Sequence, residues 1–188
     1  MATYFSEAFG VNSKILEEYG AFDPSIVADI PVFIDPFLLF NSKKAKYRAL
    51  HDSIIDYLRF LRDKSAGETL NDGDLRGWYC FHEVKQTWLG FSKTGNGGHG
   101  LGIDFARALH DSLNRIFATF GTESITKGSH LEKVCLIKKG VGKDQISDFT
   151  TNLIKRFLCR FTEEFATIHL PANRCRRVAI SNAYFDYE

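Results

Sequence analysis

No two cysteines in this chain stand in a C-x-x-C arrangement. Cys80, Cys135, Cys159 and Cys175 are scattered, each beside apolar or bulky neighbours. That excludes the paired ligand spacings of an ordinary zinc site and predicts buried free thiols in a reducing, cytoplasmic compartment. The opening MATYFSEAFG lacks a basic n-region and an apolar h-region, so no secretory signal is visible. Long apolar runs are missing too: the longest, Pro31 to Phe40, is interrupted by Asp35 and is too short to span a bilayer. A net charge of only +1 gives no global pull toward nucleic acid or anionic membrane. H-E-x-x-H and G-x-S-x-G are absent, which excludes a zincin and a hydrolase elbow.

What is present is a chain of 188 residues, 44% hydrophobic, with 17 phenylalanines: enough for a sizeable Phe-rich core. The expectation is one domain over residues 1–188, forming the N-terminal part of a longer protein because FDYE ends in strand-like sequence. Charge is uneven along it. Between Lys127 and Arg177 there are 11 basic and 5 acidic residues. Such a patch suits a phosphate backbone, although a solvated helical face gives the same count.

Three helices stand out by their apolar spacing. The first runs from about Lys43 to Lys64, capped by Ser42, with Tyr47, Leu50, Ile54, Leu58 and Leu61 inward. The second runs from Asp104 to Phe120, with Phe105, Leu109, Leu113, Ile116 and Phe120 inward. The third runs from Gln145 to Phe165, with Ile146, Phe149, Leu153, Phe157, Phe161 and Phe165 inward. A short helix over Lys14–Tyr19 is expected behind a Ser13 cap, with Gly20 as its stop. Asp35-Pro36 reads as an N-cap followed by proline at the first helical position. Strands are expected at Pro31–Ile34 and Arg177–Ile180, with strand character also in Trp78–Phe91 and Leu131–Lys138. The predicted fold is therefore α+β and helix-dominated, with three long amphipathic helices packed on a small sheet.

Three constellations carry candidate chemistry. In the first, Gly140-Val141-Gly142 precedes Asp144, Ser147 and Asp148. Carboxylates four residues apart share a helix face, and with Glu132 they offer three oxygens to Mg²⁺ or Mn²⁺, hard cations that keep several waters and activate one against a phosphodiester. Lys143, Lys155, Arg156 and Arg160 would supply phosphate contacts. The plainer alternative is that Asp144 caps the helix and Asp148 favours its positive end.

The second is the stretch Ser92–Gly102, with five glycines in eleven positions. Gly95, Gly97, Gly98, Gly100 and Gly102 with His99 could cradle a phosphate ahead of a helix, or form a surface loop. No G-K-[ST] follows, so it is not a Walker A motif. Just before it, Glu83 and Lys85 form an E-x-K, a pair that restriction-type nucleases hold on a strand beside a metal-binding aspartate. The third constellation is two His-Asp dipeptides, His51-Asp52 and His110-Asp111, the kind of pair that HD phosphohydrolases use. Here both fall one position off a buried helical stripe, where ordinary boundary hydrogen bonds account for them.

FIDPFLLF at Phe33–Phe40, WLGFS-x-x-GNGGHGLG at Trp88–Gly102 and GVGKDQISDFTTNLI at Gly140–Ile154 together resemble a group of uncharacterised bacterial proteins from restriction and phage-defence neighbourhoods. The resemblance covers roughly Phe33 to Thr162 and carries over no catalytic residue. It implies work on nucleic acid. The expected function is thus a nucleic-acid-processing domain in antiviral defence, a magnesium-dependent nuclease if an enzyme. The alternative is a non-catalytic sensor or assembly domain bound to other subunits of a defence system. No membrane partner is expected.

Overall fold

Helices carry the chain in the computed structural model, which describes residues 3–67, 70–84, 87, 89, 101–116 and 141–183. In order they are α1 (Phe5–Phe9), α2 (Ser13–Tyr19), α3 (Pro36–Phe40), α4 (Ala45–Gly67), the single turn α5 (Asp72–Asp74), α6 (Ile103–Ile116) and α7 (Lys143–His169). A π-helical turn, Leu75–Tyr79, continues from α5, and a 3₁₀ turn, Ala172–Arg174, follows α7. Contacts group the chain into two units. One comprises Met1–Val32, Lys85–Gly98 and Lys155–Ala183; the other comprises Phe33–Val84, His99–Ile154 and Tyr184–Glu188.

In the first unit, α1 and α2 close over the end of α7. Asn12, rather than Ser13, caps α2: its side chain accepts from the Lys14 amide at 2.9 Å. Gly20 ends the helix at φ 85°, a left-handed conformation that glycine adopts without a Cβ clash. Val11, Leu16 and Phe165 form the buried centre, with Phe5, Phe9 and Tyr19 packed against it. The Tyr19 ring lies 4.7 Å from Phe161 and 5.1 Å from Phe165, within the range of favourable aromatic pairing.

The second unit is built on α4 and α6. Ile54, Ile55, Tyr57, Leu58 and Leu61 of α4 are buried, as are Phe105, Ala106, Leu109 and Leu113 of α6. Each of the buried Ile, Leu and Phe side chains contributes about 1.5–3 kcal/mol on leaving water. The π-helical turn packs on α6 and turns Tyr79 fully inward. The Tyr79 hydroxyl donates to the Leu61 carbonyl at 2.7 Å, and burial pushes its pKa up.

The expected sheet is absent: among the described residues there is no β-strand. Among the described residues extended segments meet at single bridges, such as Tyr4 with Ser25, Ile30 with Leu89, and Phe81 with Leu101. The Pro31–Ile34 stretch makes none, Arg177–Ile180 runs unladdered, and Trp78 and Tyr79 lie in the π-helical turn. β-Branched and aromatic residues suit extended backbone, but a strand also needs a neighbour that exchanges hydrogen bonds over several residues. The Leu131–Lys138 stretch lies outside the described residues.

Candidate functional site

The first half of α7 gathers two of the three stretches that stand out in the sequence, together with the last residues of the third. The Ser147 hydroxyl is buried and accepts from the Ile34 amide at 2.9 Å, tying the FIDPFLLF stretch to the helix. The Lys143 ammonium lies 4.8 Å from the Phe33 ring centroid, in cation–π range. The Phe149 ring lies 4.3 Å from that of Phe81, tilted by 60°, and Phe81 pairs with Leu101, just ahead of α6, through bonds of 2.9 and 2.7 Å. Asn152 is 3% exposed, and its amide donates to the His82 carbonyl at 2.7 Å and to the Asp148 carbonyl at 2.8 Å. The segment carrying Glu83 is thereby fixed to α7 one turn from Asp148.

Asp144 stands in the first turn of α7, half-buried, and Asp148 one turn on, also half-buried. Both make further interactions within the fold. Glu132 lies outside the described residues. Among those described, no three His, Cys, Asp or Glu side chains come together to hold a metal ion. The oxygen donors have the right chemistry for Mg²⁺ or Mn²⁺, but the described residues contribute only this pair.

The phosphate-binding candidates separate. Lys143 and Arg156 are exposed. Lys155 is not available to a ligand: it is 7% exposed, and its ammonium donates to the Ser181 carbonyl at 2.9 Å. Burial lowers its pKa, opposed by the neighbouring Cys159. Gly102 is exposed, and its carbonyl accepts from the Ala106 amide at 3.0 Å in the first turn of α6. Gly95, Gly97, Gly98, His99 and Gly100 lie outside the described residues, as do Lys85 and Cys135.

The His-Asp dipeptides do not share a site. His51 lies within the core rather than at its edge, 5.1 Å from the Phe40 ring, while the adjacent Asp52 faces solvent. His110 sits beside Tyr79 at 5.7 Å, its Nδ1 3.1 Å from its own neighbour Asp111. Of the thiols, Cys80 is buried and Cys159 half-buried, with burial raising the pKa of each, whereas Cys175 is exposed, contrary to expectation.

Ser147 stands in the first constellation without an assigned role, and Asn152, neither charged nor nucleophilic, stands in none of the three. The sequence signal for Asn152 is the run Thr150-Thr151-Asn152 in the middle of an otherwise Phe-rich helix. None of the helices among the described residues is long and apolar enough to cross a membrane.

Fold and site together define a helical domain whose polar fastening points lie along its longest helix. A family model matches residues 10–188, and the chain belongs to that family, a domain of unknown function (DUF8370). No curated protein and no solved structure matches it.

Proposed function

We propose that this domain processes nucleic acid as part of a cytoplasmic bacterial defence protein, with a divalent-metal nuclease site at the start of α7. The observation that supports this is the convergence of Ile34, Phe81 and His82 on residues 147–152, next to Asp144 and Asp148, with Leu101 bridged to Phe81. Asp144 and Asp148 would hold Mg²⁺ or Mn²⁺ with Glu132 as third ligand. A bound ion there supplies an activated water for phosphodiester attack. Lys143, exposed at the same end of the helix, would meet the substrate phosphate.

The test is cleavage of plasmid DNA and of an RNA transcript by the full chain with Mg²⁺ or Mn²⁺. Cleavage should be lost in Asp148→Ala while the far-UV circular dichroism spectrum stays unchanged. Cleavage at the wild-type rate in that variant removes the site.

A second reading, a non-catalytic assembly domain, is favoured by one observation. Phe37 and Leu38 on α3 are 44% and 67% exposed, side by side, and exposed apolar pairs suit a partner surface. It requires no turnover with any nucleic acid, and loss of a defined partner complex in Leu38→Glu.

A further inference from the structure

We propose that the second half of α7 and the segment after it form an arginine ridge that grips the phosphate backbone of a nucleic-acid duplex without reading its sequence. The choice of nucleic acid over other polyanions rests on the reading above; the ridge itself rests on geometry.

From Lys155 to Leu170 the chain climbs the end of α7, about 22 Å at ~1.5 Å per residue. It then leaves through Pro171 and the 3₁₀ turn Ala172–Arg174, and Cys175 is extended at φ −112° and ψ 142°. Yet the Ser181 carbonyl lies 2.9 Å from the Lys155 ammonium. A lysine side chain reaches only about one helical turn, so residues 171–181 must fold back along α7, antiparallel to it. Lys155 is the clasp that fixes the far end of this strap.

The strap delivers charge to the helix. Arg174, Arg176 and Arg177 are exposed, as is Arg160 on α7. Among the described residues none of these four arginines makes an ion pair. Arg156, also exposed, extends the row by one turn. The acids on this part of α7 are Glu163 and Glu164, two against the five arginines. The positive groups are therefore in excess along one stretch of about 22 Å, equivalent to about six base pairs at ~3.4 Å each.

Guanidinium groups suit this task because their planar donors meet phosphate oxygens in pairs. Residues 171–183 contain no aromatic side chain. Single-strand binders stack bases on aromatic rings; a strap without rings tracks a backbone, which positions a protein without specifying sequence.

Fluorescence anisotropy on the full chain tests the ridge. The probes are labelled 20-base-pair DNA duplexes of two unrelated sequences, the RNA duplex of one of them, and a matching single strand. The two DNA sequences should bind equally, duplex should exceed single strand, and binding to either kind of duplex should weaken with salt. The slope of log K against log salt should be about −3 to −4, from roughly four phosphate contacts at about −0.9 each. Arg174→Gln/Arg176→Gln/Arg177→Gln changes only exposed side chains; it should keep the fold, weaken binding at least tenfold and flatten the slope by about 2–3. Wild-type duplex affinity in the triple variant overturns the ridge, as does tighter binding to the single strand, to polyglutamate or to anionic lipid vesicles. Duplex binding that depends on the strap in a chain that never cleaves sinks the nuclease site and leaves the ridge standing. Cleavage lost in Asp148→Ala, with binding indifferent to the arginines, does the reverse.

Discussion

Replacing Asn152 by aspartate separates a fastening point from a merely tolerated polar residue. The side-chain amide donates to two carbonyl oxygens, 2.7 Å away at His82 and 2.8 Å away at Asp148. Only the NH₂ group satisfies both, so the orientation of the amide follows from its partners. Asn152→Ala removes both bonds. The Asp148 carbonyl keeps its helical partner, and the loss should be about 1–2 kcal/mol. Asn152→Asp keeps the shape but presents carboxylate oxygens to those same carbonyls in a nearly solvent-free position. Burial without a donor raises the folded-state pKa of the introduced carboxyl by about 2–3 units above its unfolded value near 3.9. A group with a raised folded pKa binds its proton more tightly in the native state, so stability falls as pH rises from about 4 to about 6–7 and then levels. At about 1.4 kcal/mol per unit, the added penalty at neutral pH is about 3–4 kcal/mol, and it is relieved in acid. Urea unfolding monitored by far-UV circular dichroism at pH 4.5 and pH 8 measures it, with wild type and Asn152→Ala as references. If Asn152→Asp loses no more than Asn152→Ala and shows no extra pH dependence, the amide does not hold α7 to His82.

Leu109→Ala empties a position with no exposed surface between α4 and α6 and should cost about 2–5 kcal/mol in urea unfolding; a loss under 1 kcal/mol would mean that α6 packs elsewhere. Alkylation at pH 8, followed by peptide mass mapping, should label Cys175 before Cys159 and Cys80, because the first is exposed and burial raises the thiol pKa of the other two. Labelling of Cys80 ahead of Cys175 would contradict the placement of the π-helical turn. Asp148→Ala should abolish metal-dependent cleavage, with stability changed by less than about 1 kcal/mol at its half-buried position; a chain that unfolds instead would assign the carboxylate to the scaffold.

The helices were legible because burial on one face leaves a repeat that survives in the sequence. Ile54, Leu58 and Leu61 mark α4, and Phe105, Leu109 and Leu113 mark α6. Ser65–Gly73, polar and glycine-containing, reads as a loop, yet α4 runs to Gly67, where the Ser65 hydroxyl bonds back to the Leu61 carbonyl. On α7 the same repeat misleads. Ile146, Leu153 and Phe157 are only half-buried, while Ser147, Thr150, Thr151, Asn152 and Lys155 are inside. Counting apolar residues assumes that polar ones face water, and Lys155 accordingly reads as a phosphate contact when it is the clasp of the strap.

The absent sheet and the buried polar stripe on α7 have one cause. Extended backbone must place its amides and carbonyls somewhere, and a ladder of neighbouring strands is the usual place. The segments around Ile34 and His82 have no such ladder among the described residues. The helix supplies the partners instead: the Ser147 hydroxyl takes the Ile34 amide, and the Asn152 amide meets the His82 carbonyl. A side chain that must reach a neighbouring backbone has to be polar, short and inward-facing, so residues that look solvated in the sequence sit at the centre of the unit. The aspartates on the same turns then inherit a fixed backbone, with the Asp148 carbonyl itself held by Asn152. A fixed backbone is what the proposed metal site would need beneath its carboxylates, since ligands positioned by locked neighbours reorganise less when an ion arrives.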